Sequence, residues 1–229
     1  MKEIQMIKKT DPDFPKCFDL LSKKPTLLYY IGNLNLLNEK CVAIIGKRDA
    51  EVVSLNRAKS YGKYLSEKGY VVVNGIARGI DQSAIQGVIE AKGKAILVMP
   101  CGLDCIYPSS AKPLVDVVLK LGGCVISEYL IGTKPQKSNF LQRDRLQAAI
   151  SNKILVISAD KNGGTMATVK CALGLNKPVA CIIESNGDTP FSGNKQIIES
   201  KKGVGIQDEE SALDFIQEPI SVQMSLTFS

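Results

Sequence analysis

The chain contains no histidine. That excludes Ser-His-Asp and Cys-His triads, the usual zinc sites and any histidine general base. It contains no tryptophan, and aromatic residues make up only 6% of the 229 positions, so stacking platforms are scarce. No apolar run reaches the ~18 residues that a membrane-spanning helix needs, and no membrane association is expected. The amino-terminal MKEIQMIKKTDPDF lacks the apolar stretch and cleavage site of a signal peptide. Neither G-x-G-x-x-G nor G-x-x-x-x-G-K-[ST] occurs, which disfavours a dinucleotide cofactor and a P-loop nucleotide hydrolase. Cysteine is not scarce, but the seven residues are odd in number and form no C-x-x-C pair. Several sit in apolar runs such as CVAIIG and VACII, and they read as small buried hydrophobes of a reducing cytoplasm. Only Cys101 and Cys105 invite a reading as reactive thiols.

What is present is an alternation. Six apolar runs, CVAIIG, YVVVN, AILVM, CVISE, KILVIS and PVACII, read as buried strands. Helical stretches separate them: residues 54–68, with Leu55, Ala58, Tyr61 and Leu65 at helical spacing, then DQSAIQGVIEAK, AKPLVDVVLKL, NFLQRDRLQAAI and TMATVKCALGL. A short helix near 193–201, a small strand at Val204 and a last helix over DEESALDFI follow. Strands alternating with helices of this length predict βαβ units. Strands apolar throughout need helices on both faces. The expected fold is therefore α/β, a doubly wound, mostly parallel, Rossmann-like sheet. Residues 1–38 hold three prolines and short apolar pieces, and predict a small helical or irregular cap. Residues 39–217 form the main domain, and 218–229 a tail or edge strand.

Ligands of open α/β sheets bind outside the carboxyl ends of the strands. The segments that follow the strands here are Gly46-Lys47-Arg48-Asp49, Gly75-Ile76-Ala77-Arg78-Gly79-Ile80-Asp81, Pro100-Cys101-Gly102-Leu103-Asp104, Ser127-Glu128-Tyr129 and Ala159-Asp160-Lys161-Asn162-Gly163-Gly164-Thr165. Glycines and cations converge on one edge. The last of these leads into a helix whose terminal N–H groups favour an anion. With Lys47, Arg48, Arg78 and Lys161, they predict a phosphate-binding rim. Net charge is only +6, so position matters more than number.

In NFLQRDRLQAAI, Phe140, Leu141 and Ile150 are expected to face the core, with Ala148 or Ala149. Arg143 and Arg145 point about 200° apart on a helix. One is placed for the ligand edge and the other for anchoring, through Asp144 or Glu128. Asp81 reads as a helix cap and Asp104 as a brace of its own turn. Tyr107 and Tyr129 are the stacking candidates.

The motifs AIIGKRDA, VVNGIARGIDQSAIQG, VMPCGLDCIYP, GGCVISEY, GTKP and FLQRDRLQAAIS, in that order, resemble the DNA-processing protein A (DprA/Smf) family. The resemblance runs from about Phe14 to about Asp208, and FPKCFDLLSKKPTLLYYIGN is similar to that family's lead-in segment. It implies a homodimer that binds single-stranded DNA at this sheet edge and hands the strand to the RecA recombinase in transformation and recombination. By motif, it implies DNA contacts from Arg48, Arg78, Arg143 and Arg145. Lys161 would lie near a phosphate, and Gly46, Gly75, Gly79 and Gly164 would give room for the strand. Three departures mark a divergent member. Ile85 stands where the family has histidine, Asp144 lies within R-N-R, and Asn162–Thr168 replaces S-G-S/T-L-x-T-A. No C-terminal winged-helix segment is expected either.

The favoured reading is thus a cytoplasmic DNA-binding protein with no catalytic residue, cofactor or metal. The sites assigned are Gly46, Lys47, Arg48, Gly75, Arg78, Gly79, Arg143, Arg145, Lys161, Gly163, Gly164 and Thr165. Two alternatives bind a nucleotide instead. KNGGTMAT weakly resembles the loop of nucleoside monophosphate phosphoribohydrolases, where Glu128 or Asp81 would have to serve, yet Thr168 stands where those enzymes place glutamate. The other alternative is a sensor of a nucleotide-derived signal.

Overall fold

A computed structural model describes residues 3–184 and 186–219. Its strands are β1 (Gln5–Lys8), β2 (Leu27–Gly32), β3 (Cys41–Gly46), β4 (Val71–Asn74), β5 (Ala95–Val98), β6 (Cys124–Ser127), β7 (Lys153–Ser158), β8 (Val179–Ile182) and β9 (Val204–Ile206). Its helices are α1 (Val52–Glu67), α2 (Ile80–Glu90), α3 (Lys112–Lys120), α4 (Lys137–Ile150), α5 (Thr165–Gly174), α6 (Ser192–Glu199) and α7 (Glu209–Gln217). All nine strands form one sheet in the order β1-β2-β6-β5-β4-β3-β7-β8-β9. From β6 to β9 every pairing is parallel.

The strand pleat explains why the runs are apolar throughout. In β3, Val42 and Ile44 face a core shared with α1, α2, α3 and α7. The alternate residues face the opposite side. There Cys41 packs with α4 and the lead-in, and Ala43 and Ile45 pack with α4, α5 and α6. Both faces are buried, so the parallel strands β3 to β8 are apolar except at their ends, where Asn74, Ser127, Lys153 and Ser158 sit. The expected Rossmann-like architecture is what the chain adopts.

The lead-in differs from a simple cap. It holds two 3-10 turns, Lys16–Leu20 and Leu34–Asn38, but it also supplies β1 and β2. Both are antiparallel additions, β2 lying against β6 in the register Tyr30↔Ile126. The physical reason is the open edge of β6, whose unpaired backbone groups LLYYIG satisfies. Most of the predicted tail, residues 220–229, lies outside the described residues.

Candidate functional site

β3 lies between β4, which follows it in the chain, and β7, which the chain reaches only after β6. The loops after β3 and β7 therefore diverge, and a crevice opens at their carboxyl ends. A cleft of about 630 Å3 lies there, with Gly46, Lys47 and Arg48 on one lip and Gly163, Gly164 and Thr165 on the other. One face of α4 forms the remaining wall.

The loop after β4 is built to hold a fixed shape. Asn74 Oδ1 accepts from the Ile76 N–H at 2.9 Å, and Asn74 Nδ2 donates to the Asp81 carbonyl at 2.9 Å. Asp81 Oδ2 accepts from the N–H groups of Gly75 (3.1 Å) and Ala77 (3.3 Å). So Asp81 does not cap α2, whose N-cap position is Gly79 without a side-chain bond. It braces the loop before the helix. Burial pushes its pKa up to about 6, against the pull of Arg143 and the two N–H groups. Held this way, Ile76 adopts φ +53°, a strained value for a β-branched residue.

Gly79 fixes this loop to its neighbour. It sits at φ +81°, and a Cβ there would collide with the carbonyls of Lys47 and Arg48. The Ile80 N–H donates to the Lys47 carbonyl at 3.3 Å. This contact sets Arg78 beside Arg48. A second recess holds both arginines together with Gly75, Tyr107, Phe140 and Arg143. The guanidinium of Arg48 lies 5.4 Å over the Phe140 ring, and Tyr107 meets Phe140 edge-on at 5.6 Å. Lys47 faces Asp160 across the crevice at 3.9 Å and lies over Phe191.

Arg143 lines the cleft but is not a free cation. It is buried; its Nε donates to Asp144 Oδ1 at 2.9 Å and its Nη1 to the Val98 carbonyl at 2.9 Å. Burial raises the Asp144 pKa, while Arg143 and the Thr168 hydroxyl oppose the rise. Arg145 does not line the cleft. Its Nη2 reaches both Glu128 oxygens at 2.6 and 2.5 Å, and its Nη1 donates to the Lys23 carbonyl at 2.9 Å. It ties the lead-in to α4. Lys161 is exposed outside the cleft, its N–H held by Ser192 Oγ at 3.0 Å.

Other expectations need correction. Leu141 is 57% exposed on the cleft wall, and Phe140 stands at the mouth beside Arg48, because the first turns of α4 overhang the sheet edge. Tyr129 does not line the cleft. Asp104 braces a neighbouring loop rather than its own turn, accepting from the Gly132 N–H at 2.9 Å. Cys101 is buried, with its pKa pushed up to about 12 chiefly by burial, so its thiolate is strongly disfavoured. Lys137, Phe140, Asp144 and Gln147 are cleft residues that the sequence pattern did not mark as ligand-facing. Their i, i+3, i+7, i+10 spacing on one helix face was the available signal.

The family model of DNA recombination-mediator protein A matches residues 5–217. The chain belongs to that family. Smf of Synechocystis sp. is 31% identical over 182 residues, 78% of this chain and 46% of the relative. DNA processing protein DprA of Streptococcus pneumoniae is 33% identical over 191 residues, 82% of this chain and 66% of the relative. The chain thus spans about half to two thirds of the length of those relatives. A solved structure of DNA processing protein A from Helicobacter pylori is similar with a TM-score of 0.84 at 27% identity, covering 94% of this chain and 96% of that one; it concerns that protein's single-stranded DNA binding mode. The fold expected for a recombination-mediator protein A is the fold described above.

Proposed function

We propose that this recombination-mediator protein binds single-stranded DNA in the switch-point cleft and, as a cytoplasmic homodimer, delivers it to the RecA recombinase. One observation carries the binding step. Lys47 and Arg48 line the cleft, Arg78 comes from a second loop to join Arg48 in the adjoining recess, and Arg48, Phe140 and Tyr107 border both. Cations on a rim neutralise phosphates, and most affinity then comes from released counterions. Gly164 and Thr165 at the N-terminus of α5 offer N–H donors for phosphate oxygens, while the Gly163 N–H is held by the Asp160 carbonyl at 2.8 Å. Phe140 and Tyr107 offer rings for base stacking. Delivery to RecA and dimerisation draw their support from family membership and not from the cleft.

Binding accounts for the site better than catalysis does. Asp81 is occupied by two loop N–H groups, Asp144 by Arg143, and Glu128 by Arg145. None stands free to act at a ribose, which weakens the phosphoribohydrolase reading. The test measures oligo-dT binding at two salt concentrations, with Arg78→Ala alongside. Affinity that falls with salt and falls again in the variant is expected. Equal affinity for variant and parent removes Arg78 from the site. Incubation with AMP, scored for free adenine, decides the enzymatic alternative.

A further inference from the structure

Two cysteines of the loop after β5, Cys101 and Cys105, line neither the cleft nor its recess. Both thiols are free, and the chain folds back to bring them together. The Cys105 N–H donates to the Gly102 carbonyl at 2.9 Å. Cys101 Sγ donates to the Cys105 carbonyl at 2.7 Å, and the two side chains hydrogen-bond each other. Such contact is what a disulfide requires, because its Cβ atoms stand only about 3.5–4.5 Å apart. Cys41 and Cys181, by contrast, donate to the carbonyls of Leu36 and Asn194.

The two thiols differ in access. Cys101 is buried, whereas Cys105 is partly exposed. Burial keeps Cys101 protonated, so Cys105 is the thiol that meets a reagent and Cys101 the one that resolves it. The loop is anchored mainly before Cys105. The Cys101 carbonyl accepts from Ser127 Oγ at 2.6 Å, the Gly102 N–H donates to the Thr133 carbonyl at 3.0 Å, and Asp104 accepts from the Gly132 N–H at 2.9 Å. Beyond Cys105 the chain runs through Ile106 to Tyr107, which is 39% exposed and meets Phe140 edge-on. Drawing the two sulfurs together therefore moves the Cys105 side of the loop, and Tyr107 with it.

We propose that Cys101 and Cys105 are a thiol-oxidation site, which a small-molecule disulfide closes into an intramolecular disulfide, and that closure shifts Tyr107 off Phe140. The Cys105 thiolate attacks one sulfur of the reagent RSSR. A Cys105–SR bond forms, the reagent's S–S bond breaks, and one RS− leaves and takes up the proton that Cys105 released. Cys101 then gives up its proton and attacks Cys105 Sγ. The Cys101–Cys105 bond forms, the Cys105–SR bond breaks, and the second RS− leaves with that proton. Two thiols are oxidised and one RSSR is reduced to two RSH. The disulfide stands independently of DNA; its effect on DNA rests on the strand-binding reading above.

The test treats the folded chain with oxidised glutathione, blocks remaining thiols with iodoacetamide and digests with trypsin. Lys112 precedes Pro113, so residues 95–120 emerge as one peptide holding Cys101, Cys105 and no other cysteine. That peptide should be unalkylated and two hydrogens lighter than the dithiol. Cys101→Ser should stop at glutathione on Cys105, and Cys105→Ser should carry none on Cys101. A doubly alkylated peptide, or glutathione retained on Cys105 of the parent, overturns the site. Equal modification of the buried Cys41 and Cys181 overturns it too, since the chain must then unfold to react. Oligo-dT affinity of the oxidised parent should fall at least about fivefold, the low end of what one stacked base contributes. It should recover with dithiothreitol and stay unchanged in Cys105→Ser after the same treatment. A disulfide that leaves affinity unchanged overturns the shift of Tyr107. If oligo-dT binds neither the reduced nor the oxidised chain, strand binding fails while the peptide still decides the disulfide. Amide exchange at Ile106 and Tyr107 then decides the shift: faster exchange on oxidation supports it, and unchanged exchange overturns it.

Discussion

The guanidinium of Arg143 lies against the bare backbone of Gly75, where any Cβ would overlap it. One residue comes from α4 and the other from the turn after β4. Gly75 has no positive φ, so its missing side chain matters for space and not for conformation. Through this contact the helix that walls the cleft and the loop that carries Arg78 hold one another in place. Arg143 in turn is the cation that acts most strongly on the buried carboxylates, and it favours the charged forms of Asp81 and Asp144.

Gly75→Ala should therefore lower stability by about 1–3 kcal/mol, the usual cost of overpacking, and weaken DNA binding by moving Arg78. Gly164→Ala is the control on the opposite lip. A Cβ there meets nothing within 4 Å, and its change in stability should stay within about 0.5 kcal/mol. Urea denaturation of both variants checks the contrast. Equal losses would mean that the Arg143 contact is not what constrains position 75.

Arg48 and Arg145 should separate cleanly. Arg48 is exposed at the mouth of the cleft, with Phe140 as its one neighbour in a ring contact. Arg48→Ala should leave the thermal midpoint nearly unchanged. It should weaken oligo-dT binding and make the log-affinity against log-salt slope shallower by about 0.7 for each phosphate that is no longer neutralised. Arg145→Ala strands Glu128 in a largely buried place, at a cost of about 2–4 kcal/mol. Its salt slope should match the parent's at a temperature where both are folded.

Asp81 predicts a pH dependence of stability. Its folded pKa is about 6 and its ordinary value is 3.8. Between those values the folded chain holds a proton that the unfolded chain releases. Folding takes up a proton there, so the Asp81 contribution favours folding below about pH 4 and is lost as pH rises through 6. Asp144 is shifted in the same direction, so Asp81 has to be isolated by difference. The gap in urea midpoint between the parent and Asp81→Asn should move in the parent's favour from pH 7 to pH 4.5. A constant gap would show that Asp81 titrates alike in both states.

The parts legible in the sequence were those that a single local pattern controls. β3 to β8 are apolar because both faces are covered, and no partner needs to be known to read that. β1 was not legible, since QMIK buries only Ile7 of its four residues. β2 carried a usable signal, an aromatic and β-branched run between Pro25 and Gly32, but its place depends on the open edge of β6. In the site, glycine-and-cation turns after apolar strands marked Arg48 and Arg78 directly. α4 was harder to read. Its first half overhangs the sheet edge while its second half is buried on nearly every side, from Leu146 to Ile150, so no single periodicity describes it. The opposed directions of Arg143 and Arg145 follow from helix geometry. Which of them faces the cleft depends on Glu128, 17 residues away.

Lys153 tests whether the far end of the sheet is independent of the cleft. It begins β7, while Ser158 ends that strand beside Lys47, a separation of roughly 16 Å at 3.3 Å per residue. The Lys153 side chain is buried, and its Nζ donates to the carbonyls of Phe215 and, at 2.8 Å, Glu218. It thus satisfies carbonyls that the last turn of α7 leaves without helical partners. It also lies 4.7 Å over the Phe215 ring, whose side chain packs in the core that α7 shares with α1. Lys153→Met keeps the apolar stem and removes the donors. The loss should be about 1–3 kcal/mol, with amide exchange in α7 accelerated first. The Arg48 lip rests on β3, β4 and α4, so oligo-dT affinity and its salt slope should not change. A DNA-binding defect in Lys153→Met at temperatures where it is folded would show that α7 communicates with the cleft through β7.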